Sequence, residues 1–284
     1  MTDAAVVLEG GSLRCLFTSG VLDAFLEHDV EFSYVSGVSA GSMCAMSYIS
    51  KQMGRTRDVN LNFVRDRRYL SLRNMLHRRE LFDFDFVFGE LSTTLIPFDW
   101  ETFEESGQRF VVAATRCLTG EPEYFEKGVC TDLTAAVAAS SSLPLVSKMV
   151  TVEGKKYLDG GLSMPIPYGK AMEEGYGKIV LVLSRHKGYR KPPAPEWKKR
   201  AYRRYFEPLP RLLQAINDIP DRYNRMQDEI DGLEEAGRIF VIRPAQPVTV
   251  SRFEKDKRKL EELYYIGRNR AEGMMPELRA YLQA

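Results

Sequence analysis

"YVSGVSAGSMCAM", residues 34–46, decides how this chain is read, because it frames Ser39 with a glycine two positions away on either side. Tyr34 and Val35 end an extended apolar run, and from Ala40 onward the residues are small helix formers. The spacing predicts a strand, a sharp turn at Ser39 and a helix. Such a turn needs Gly37 and Gly41, since a side chain at either position would collide with the crossing backbone. It also sets the serine hydroxyl beside a helix N-terminus, whose amides and dipole favour developing negative charge. A helix-capping serine would satisfy the three fixed positions by themselves; the flanking strand and helix favour a nucleophile.

Working outward, "AAVVLEGG" (4–11) followed by "FTSGVLDAFLEHDV" (17–30) repeats the strand, Gly-rich turn and helix, with Phe17, Val21, Leu22, Phe25 and Leu26 on one helical face. "RFVVAAT" (109–115), "KIVLVLS" (178–184) and "RIFVIRPA" (238–245) are continuously apolar, as strands are when both faces of a parallel sheet are covered. "DLTAAVAASSSLP" (132–144) is helical up to its serines, and 251–283 holds two closing amphipathic helices. The expected fold is α/β: a three-layer α/β/α domain over 1–284 with a mostly parallel central sheet. Two stretches rich in Arg, Lys and aromatics, 65–81 and 185–216, break the rhythm; the second, past the prolines at 192–195, is expected to form a basic helical insertion or flap at about 186–236. Phe82, Phe84, Phe86 and Phe88 alternate at period two, either as one wall of an apolar groove or, the favoured reading, as core.

Composition narrows the function classes. The 284 residues are 44% hydrophobic and 28% charged with a net charge of +1, so no overall charge draws the chain to nucleic acid or an anionic membrane. The basic, aromatic segments come with no RNA-binding motif, and no nucleic-acid partner is expected. Local contact of the basic flap with anionic lipid stays open. Cys15, Cys44, Cys117 and Cys130 are widely spaced and suggest neither a disulfide framework nor a zinc site. No secretory leader or membrane-length apolar run is present, so a cytoplasmic location is expected, with peripheral membrane attachment open.

A serine hydroxyl is a weak nucleophile until a base takes its proton. Among the three histidines, His28 lies in a connection and His77 in a basic segment, while His186 follows a strand and would complete a Ser-Asp-His order. In folds with that triad the elbow follows several strands; here it follows two at most. The stronger candidate is Asp159 in "YLDGGLSMPIP" (157–167), a carboxylate closing an extended run before Gly160 and Gly161. A plain hairpin over "TVEGKKYLDGG" (151–161) is the alternative. In "LEGGSLRC" (8–15), the turn of Gly10, Gly11, Ser12 and Leu13 exposes amides suited to an oxyanion; the glycine spacing of a phosphate-binding loop is missing at Ser12 and Cys15.

Together, "GGSLRC", "GVSAG" and "DGG", in this order, resemble the patatin-like phospholipase family, and the likeness extends to "AASSSLPLVSKMV" (138–150), "RFVVAATRCLTGEPEYF" (109–125) and the closing 241–271. The resemblance implies a Ser-Asp dyad of Ser39 and Asp159, an oxyanion hole at Gly10, Gly11, Ser12 and Leu13, and support from Arg14, Gly37, Gly41, Gly160 and Gly161. It further implies hydrolysis of fatty-acyl esters of lipids through an acyl-enzyme, with no cofactor or metal. Ser12 and Cys15 stand where the family has glycines; a positive φ at Ser12 would carry strain, and Cys15 is expected to be a small buried filler. Arg14 is expected to hold the turn by hydrogen bonds rather than touch substrate. Transfer of the acyl group to an alcohol or carrier, and a non-catalytic lipid-binding role, are the rival readings.

Overall fold

The computed structural model describes residues 1–69 and 82–284. His77 and most of the first basic segment therefore lie outside the described residues. The elements that frame the site are β1 (Thr2–Leu8), α1 (Cys15–Glu27), β2 (Phe32–Gly37), α2 (Ala40–Ile49), α3 (Arg55–Phe63), α4 (Trp100–Glu105), β3 (Arg109–Arg116), β4 (Pro122–Glu126), α5 (Leu133–Ser140), β5 (Val150–Val152), β6 (Lys155–Asp159) and α6 (Tyr168–Glu173). They are followed by β7 (Ile179–Val182), α7 (Glu196–Phe206), α8 (Pro210–Asn217), α9 (Ile219–Glu235), β8 (Phe240–Ile242), α10 (Lys257–Gly273) and α11 (Met275–Gln283).

The strands form one mixed sheet in the order β5-β6-β3-β2-β1-β7-β8, with β4 also paired to β3. From β3 through β2, β1 and β7 to β8 the neighbours are parallel. Strand β1 shows why its sequence is continuously apolar: Ala4 through Leu8 are all fully buried. Ala4, Val6 and Leu8 pack with α1, α2 and α10 on one face, and Ala5 and Val7 with α6 and α9 on the other. Each such Val or Leu contributes about 1.5–3 kcal/mol by leaving water. Helices thus cover both faces, as expected for the α/β/α class. No helix among the described residues is long and apolar enough to cross a membrane.

The pairing along β3 positions the site. Arg109–Val112 pair in parallel with Tyr34–Gly37 of β2, whereas Ala114–Arg116 pair antiparallel with Tyr157–Asp159 of β6. Strand β4 takes Val111–Thr115, overlapping both stretches. One edge of a strand holds one partner at a time, so β2 and β6 must share the other edge in tandem, meeting end to end beside Ala113. The residue after each strand end is thereby delivered to the same gap.

Two sequence expectations change form. The hairpin over 151–161 exists, but its turn is Glu153-Gly154, both at positive φ (49° and 76°), which leaves Asp159 at the far end of β6. The phenylalanine alternation is not a strand: Asp83 caps a helical turn at Phe84–Phe86 by accepting from the Phe86 amide at 3.0 Å, and a π-helical segment, Val87–Leu95, follows. Helical geometry sends the rings different ways. Phe86 meets Phe63, Phe82 meets Tyr69, and Phe84 stacks on Phe88.

Helices α1 and α10 cross with their backbones touching, since a Cβ added at Gly20 or Gly267 would lie 2.1 Å and 2.0 Å from the Tyr264 and Phe17 carbonyl oxygens. Asp23 of α1 ties this contact to α3, accepting from Tyr264 Oη at 2.9 Å and the Gly54 amide at 3.0 Å. Burial pushes its carboxyl up to about 6, against both of those bonds. The folded chain therefore keeps a proton there that the unfolded chain, titrating near about 4, has released. The contribution to stability is full below the unfolded value and is lost as pH rises through about 6. Asp23→Asn keeps a neutral acceptor at every pH, so wild type should lose up to about 3 kcal/mol relative to this variant between pH 4 and 7. Denaturant curves at several pH values measure this, and parallel pH profiles would contradict it.

Candidate active site

Ser39 sits between β2 and α2 at φ 55° and ψ −129°, a backbone conformation that only a tightly determined turn holds a non-glycine residue in. What determines it is steric. A Cβ at Gly37 would lie 2.7 Å from the Ser42 amide nitrogen, and one at Gly41 would lie 2.7 Å from the Leu8 carbonyl oxygen. The elbow is then clamped by hydrogen bonds. The Ser39 carbonyl accepts from Ser42 N at 2.9 Å and Ser42 Oγ at 2.6 Å, and the Ser39 amide donates to Ser140 Oγ at 2.8 Å.

Asp159 ends β6, 5% exposed. Its backbone is held on both sides, with the amide donating to the Ser142 carbonyl at 2.8 Å and the carbonyl accepting from Thr115 Oγ1 at 2.8 Å. Oδ1 accepts from the Gly161 amide at 2.7 Å. Gly160 is required by close approach, since a Cβ there would stand 2.1 Å from the Ala113 carbonyl oxygen. Burial raises the carboxyl above the ordinary carboxylate range, opposed by the nearby Ser39 hydroxyl, by the hydrogen bond from the Gly161 amide and then by the charges of Arg252 and Lys191. The structure thus brings the Ser39 side chain within electrostatic reach of the Asp159 carboxyl across 120 residues of sequence.

The Gly-rich turn lies against the elbow: a Cβ at Gly10 would lie 3.1 Å from the Ser39 Cβ and 3.0 Å from the Val38 carbonyl oxygen. The amides of Gly10, Gly11 and Ser12 donate to no described acceptor, while that of Leu13 reaches the Arg252 carbonyl at 3.5 Å. Ser12 does take a positive φ, 49°, so the glycine-to-serine departure is accommodated with backbone strain. Cys15 begins α1 as a buried small residue, and its carbonyl accepts from Cys44 Sγ at 3.6 Å. The expectation that Arg14 holds the turn by hydrogen bonds fails: its side chain is buried, and neither Nε nor the rest of the guanidinium bonds to a described residue. The turn is held instead by Glu9, whose Oε2 accepts from the Ser184 amide at 2.6 Å and whose Oε1 accepts from Tyr223 Oη of α9 at 2.8 Å.

No hydrogen bond joins His186 to Ser39 or Asp159; its ring packs 6.0 Å from that of Tyr189. An apolar cavity of about 50 Å³ lies one helical turn along α2 from Ser39, lined by Met43, Met46, Phe88, Leu91, Phe98 and Trp100. The lining includes neither Ser39 nor Asp159. Ser140 was missed from sequence; the only signal was the Ser140-Ser141-Ser142 run closing α5.

An elbow serine near a buried aspartate and beside a glycine turn of free amides matches a class of serine acyl hydrolase sites. The chain belongs to the patatin-like phospholipase family, whose model matches residues 6–172 and so spans the turn, the elbow and Asp159. A second family model, a domain of unknown function (DUF6363), matches residues 209–283. The chain is similar to the uncharacterized protein YjjU of Escherichia coli K12, with 29% identity over 277 residues, covering 93% of this chain and 74% of that protein. Among solved structures it is similar to VipD from Legionella pneumophila at a TM-score of 0.46 and 12% identity, over 99% of this chain and 67% of that one.

Ser140 Oγ both accepts from the Ser39 amide and donates to the Ala113 carbonyl at 2.6 Å, so it fills the gap between β2 and β6. Ser140→Ala orphans two buried backbone groups and should cost about 2–4 kcal/mol of stability. Because the lost bonds orient the elbow, kcat should also fall for the protein that remains folded. Denaturant unfolding together with ester turnover measures both; an unchanged midpoint and unchanged kcat would contradict the role.

Proposed function

We propose that the chain is a serine acyl-ester hydrolase acting on fatty-acyl esters of lipids through a Ser39–Asp159 dyad. The observation that carries the proposal is the elbow geometry that sets the Ser39 side chain within electrostatic reach of the buried Asp159 carboxyl, whose proton affinity burial raises. A carboxylate shifted upward is a better proton acceptor at neutral pH than an ordinary surface aspartate. Ser39 Oγ attacks the ester carbonyl carbon as its proton passes to Asp159. The oxyanion formed meets the unpartnered amides of the Gly10–Ser12 stretch, aided by the N-terminus of α2. Collapse breaks the bond to the leaving alcohol, which takes the proton from Asp159, and leaves an acyl ester on Ser39. Water then attacks this ester, giving its proton to Asp159, and the carboxylic acid departs as Ser39 recovers that proton. Membership of the patatin-like phospholipase family supports a lipid acyl ester as the bond cleaved.

Turnover of p-nitrophenyl butyrate tests the proposal. Ser39→Ala and Asp159→Asn should each lower kcat/KM by about 10³-fold or more, while His186→Ala stays within severalfold of wild type. Asp159 must be ionised to accept the proton, and its raised value moves that requirement upward. The acidic limb of kcat/KM should therefore lie above the usual aspartate value of about 4, activity being lost as pH falls through it. Loss of activity in His186→Ala with survival in Asp159→Asn would instead assign the base to the histidine.

A further inference from the structure

Two polar atoms around the Gly-rich turn are buried with no described partner, Arg14 Nε and Ser184 Oγ, and His186 Nδ1, two residues beyond Ser184, is another such atom. A Cβ at Gly11 would lie 3.1 Å from Ser184 Oγ and 3.4 Å from Arg14 Cβ, so serine and arginine flank the same glycine. Three further cations gather here. Arg185 and Arg252 lie within electrostatic reach of Arg14, and Lys191 within reach of Arg252, Arg14, Glu9 and Asp159. Lys191 is held inward, with its backbone amide and carbonyl both bonded to the Asn224 side chain (2.7 Å and 3.1 Å) and its Nζ 4.2 Å from the centroid of the Tyr223 ring. Arg185 rests on Tyr189, its guanidinium carbon 4.5 Å from the ring centroid.

None of the four cations is ion-paired with a described carboxylate, whereas the buried Arg243 is paired with Asp231 and Glu234. The one carboxylate among them besides Asp159 is Glu9, and both of its oxygens are already engaged by Ser184 N and Tyr223 Oη. Four cations against Glu9 and Asp159 leave a net charge of +2 with all six groups ionised. A buried guanidinium without a counter-ion costs several kcal/mol, about as much as breaking a buried pair. Burial, then Arg185 and Arg252, lower Arg14 to about 10, and burial, then Arg252, lowers Lys191 to about 8. An incoming anion relieves both.

We propose that Arg14, Arg185, Lys191 and Arg252 form an anion subsite beside Ser39 that takes the phosphate monoester of an acyl-ester substrate in preference to a zwitterionic phosphodiester or an uncharged glyceride. A phosphate monoester carries close to two negative charges at neutral pH and matches the net charge of the cluster, and arginine forks bind it bidentately. A choline or ethanolamine diester carries one phosphate charge and brings a cation into a cation-rich pocket. Arg185, Lys191 and Arg252 all lie outside the 6–172 stretch that the family model matches, so the selectivity belongs to this chain's C-terminal part. The inference deepens the proposed hydrolase reading, because the ester would be held with its carbonyl at Ser39.

Binding to the Ser39→Ala protein tests it without turnover, and so stands apart from whether the chain hydrolyses esters; failure of the hydrolase reading would appear in the p-nitrophenyl butyrate series instead. The probes are three soluble hexanoyl esters, of glycerol 3-phosphate, of glycerophosphocholine and of glycerol, titrated by calorimetry. The phosphate monoester should bind at least about tenfold more tightly than the other two. Arg185→Glu and Arg252→Glu, each placed in the Ser39→Ala background and checked for folding by circular dichroism, should each remove most of that preference. Equal affinity for the three esters, or a preference that survives both charge reversals, would overturn the proposal. Inorganic phosphate separates the two sources of the same chemistry. It should compete at least about tenfold more weakly than the hexanoyl phosphate ester, and equal competition would overturn head-group recognition in favour of free phosphate.

Discussion

Strand β3 carries two partners along a single edge, β2 running with it and β6 running against it, and the place where they meet is where the chemistry gathers. Neither partner can be lengthened without displacing the other. The gap is closed by Ser140, which joins the Ala113 carbonyl to the Ser39 amide, and by Gly160, which packs bare against that same carbonyl. The elbow geometry of Ser39, the burial of Asp159 and the proximity of the two side chains all follow from this arrangement. Remote backbone pairing thus sets the distance on which the proposed proton transfer depends.

The second half of the chain also reaches the Gly-rich turn and the surroundings of Asp159. Helix α9 reaches the Gly-rich turn through Tyr223 and Glu9, and the Arg252 carbonyl meets the Leu13 amide. Helices α7 and α8 bury Tyr202, Phe206, Leu212 and Ile216 against Leu158 of β6 and Leu162, close to Asp159. Trp197 and Tyr205 of α7 remain on the surface, 70% and 46% exposed. The polar groups that surround the turn, Ser184, Lys191 and Tyr223, come from this half, and so the chemical environment of Ser39 is a joint product of both.

What sequence reveals here is what depends on neighbours in sequence. Gly37 and Gly41 announce the elbow because the steric demand acts two residues from Ser39, and β1 and β2 announce themselves through unbroken apolar runs. The Ser39–Ser140 bond and the Glu9–Tyr223 bond span 101 and 214 residues, and no local pattern encodes them. The phenylalanines at 82–88 join the core, Phe86 buried and Phe82 and Phe88 packed against it, but the Asp83 cap and the packing of Phe86 on Phe63 place Phe84–Phe86 on a helical turn that the alternation does not announce. Lys191 and Arg185 read as parts of a solvated basic stretch, whereas contacts with Asn224, Tyr223 and Tyr189 turn them inward.

The most direct test of the Ser39–Asp159 pair is to treat the folded protein with a fluorophosphonate across a pH series and map the adduct by mass spectrometry, in wild type and in Asp159→Asn. A coupled pair expects one adduct, on Ser39, forming at a rate that rises with pH as the buried carboxyl ionises and that falls by orders of magnitude in Asp159→Asn. An adduct on another residue, or a labelling rate at Ser39 that ignores both pH and Asp159, would contradict it.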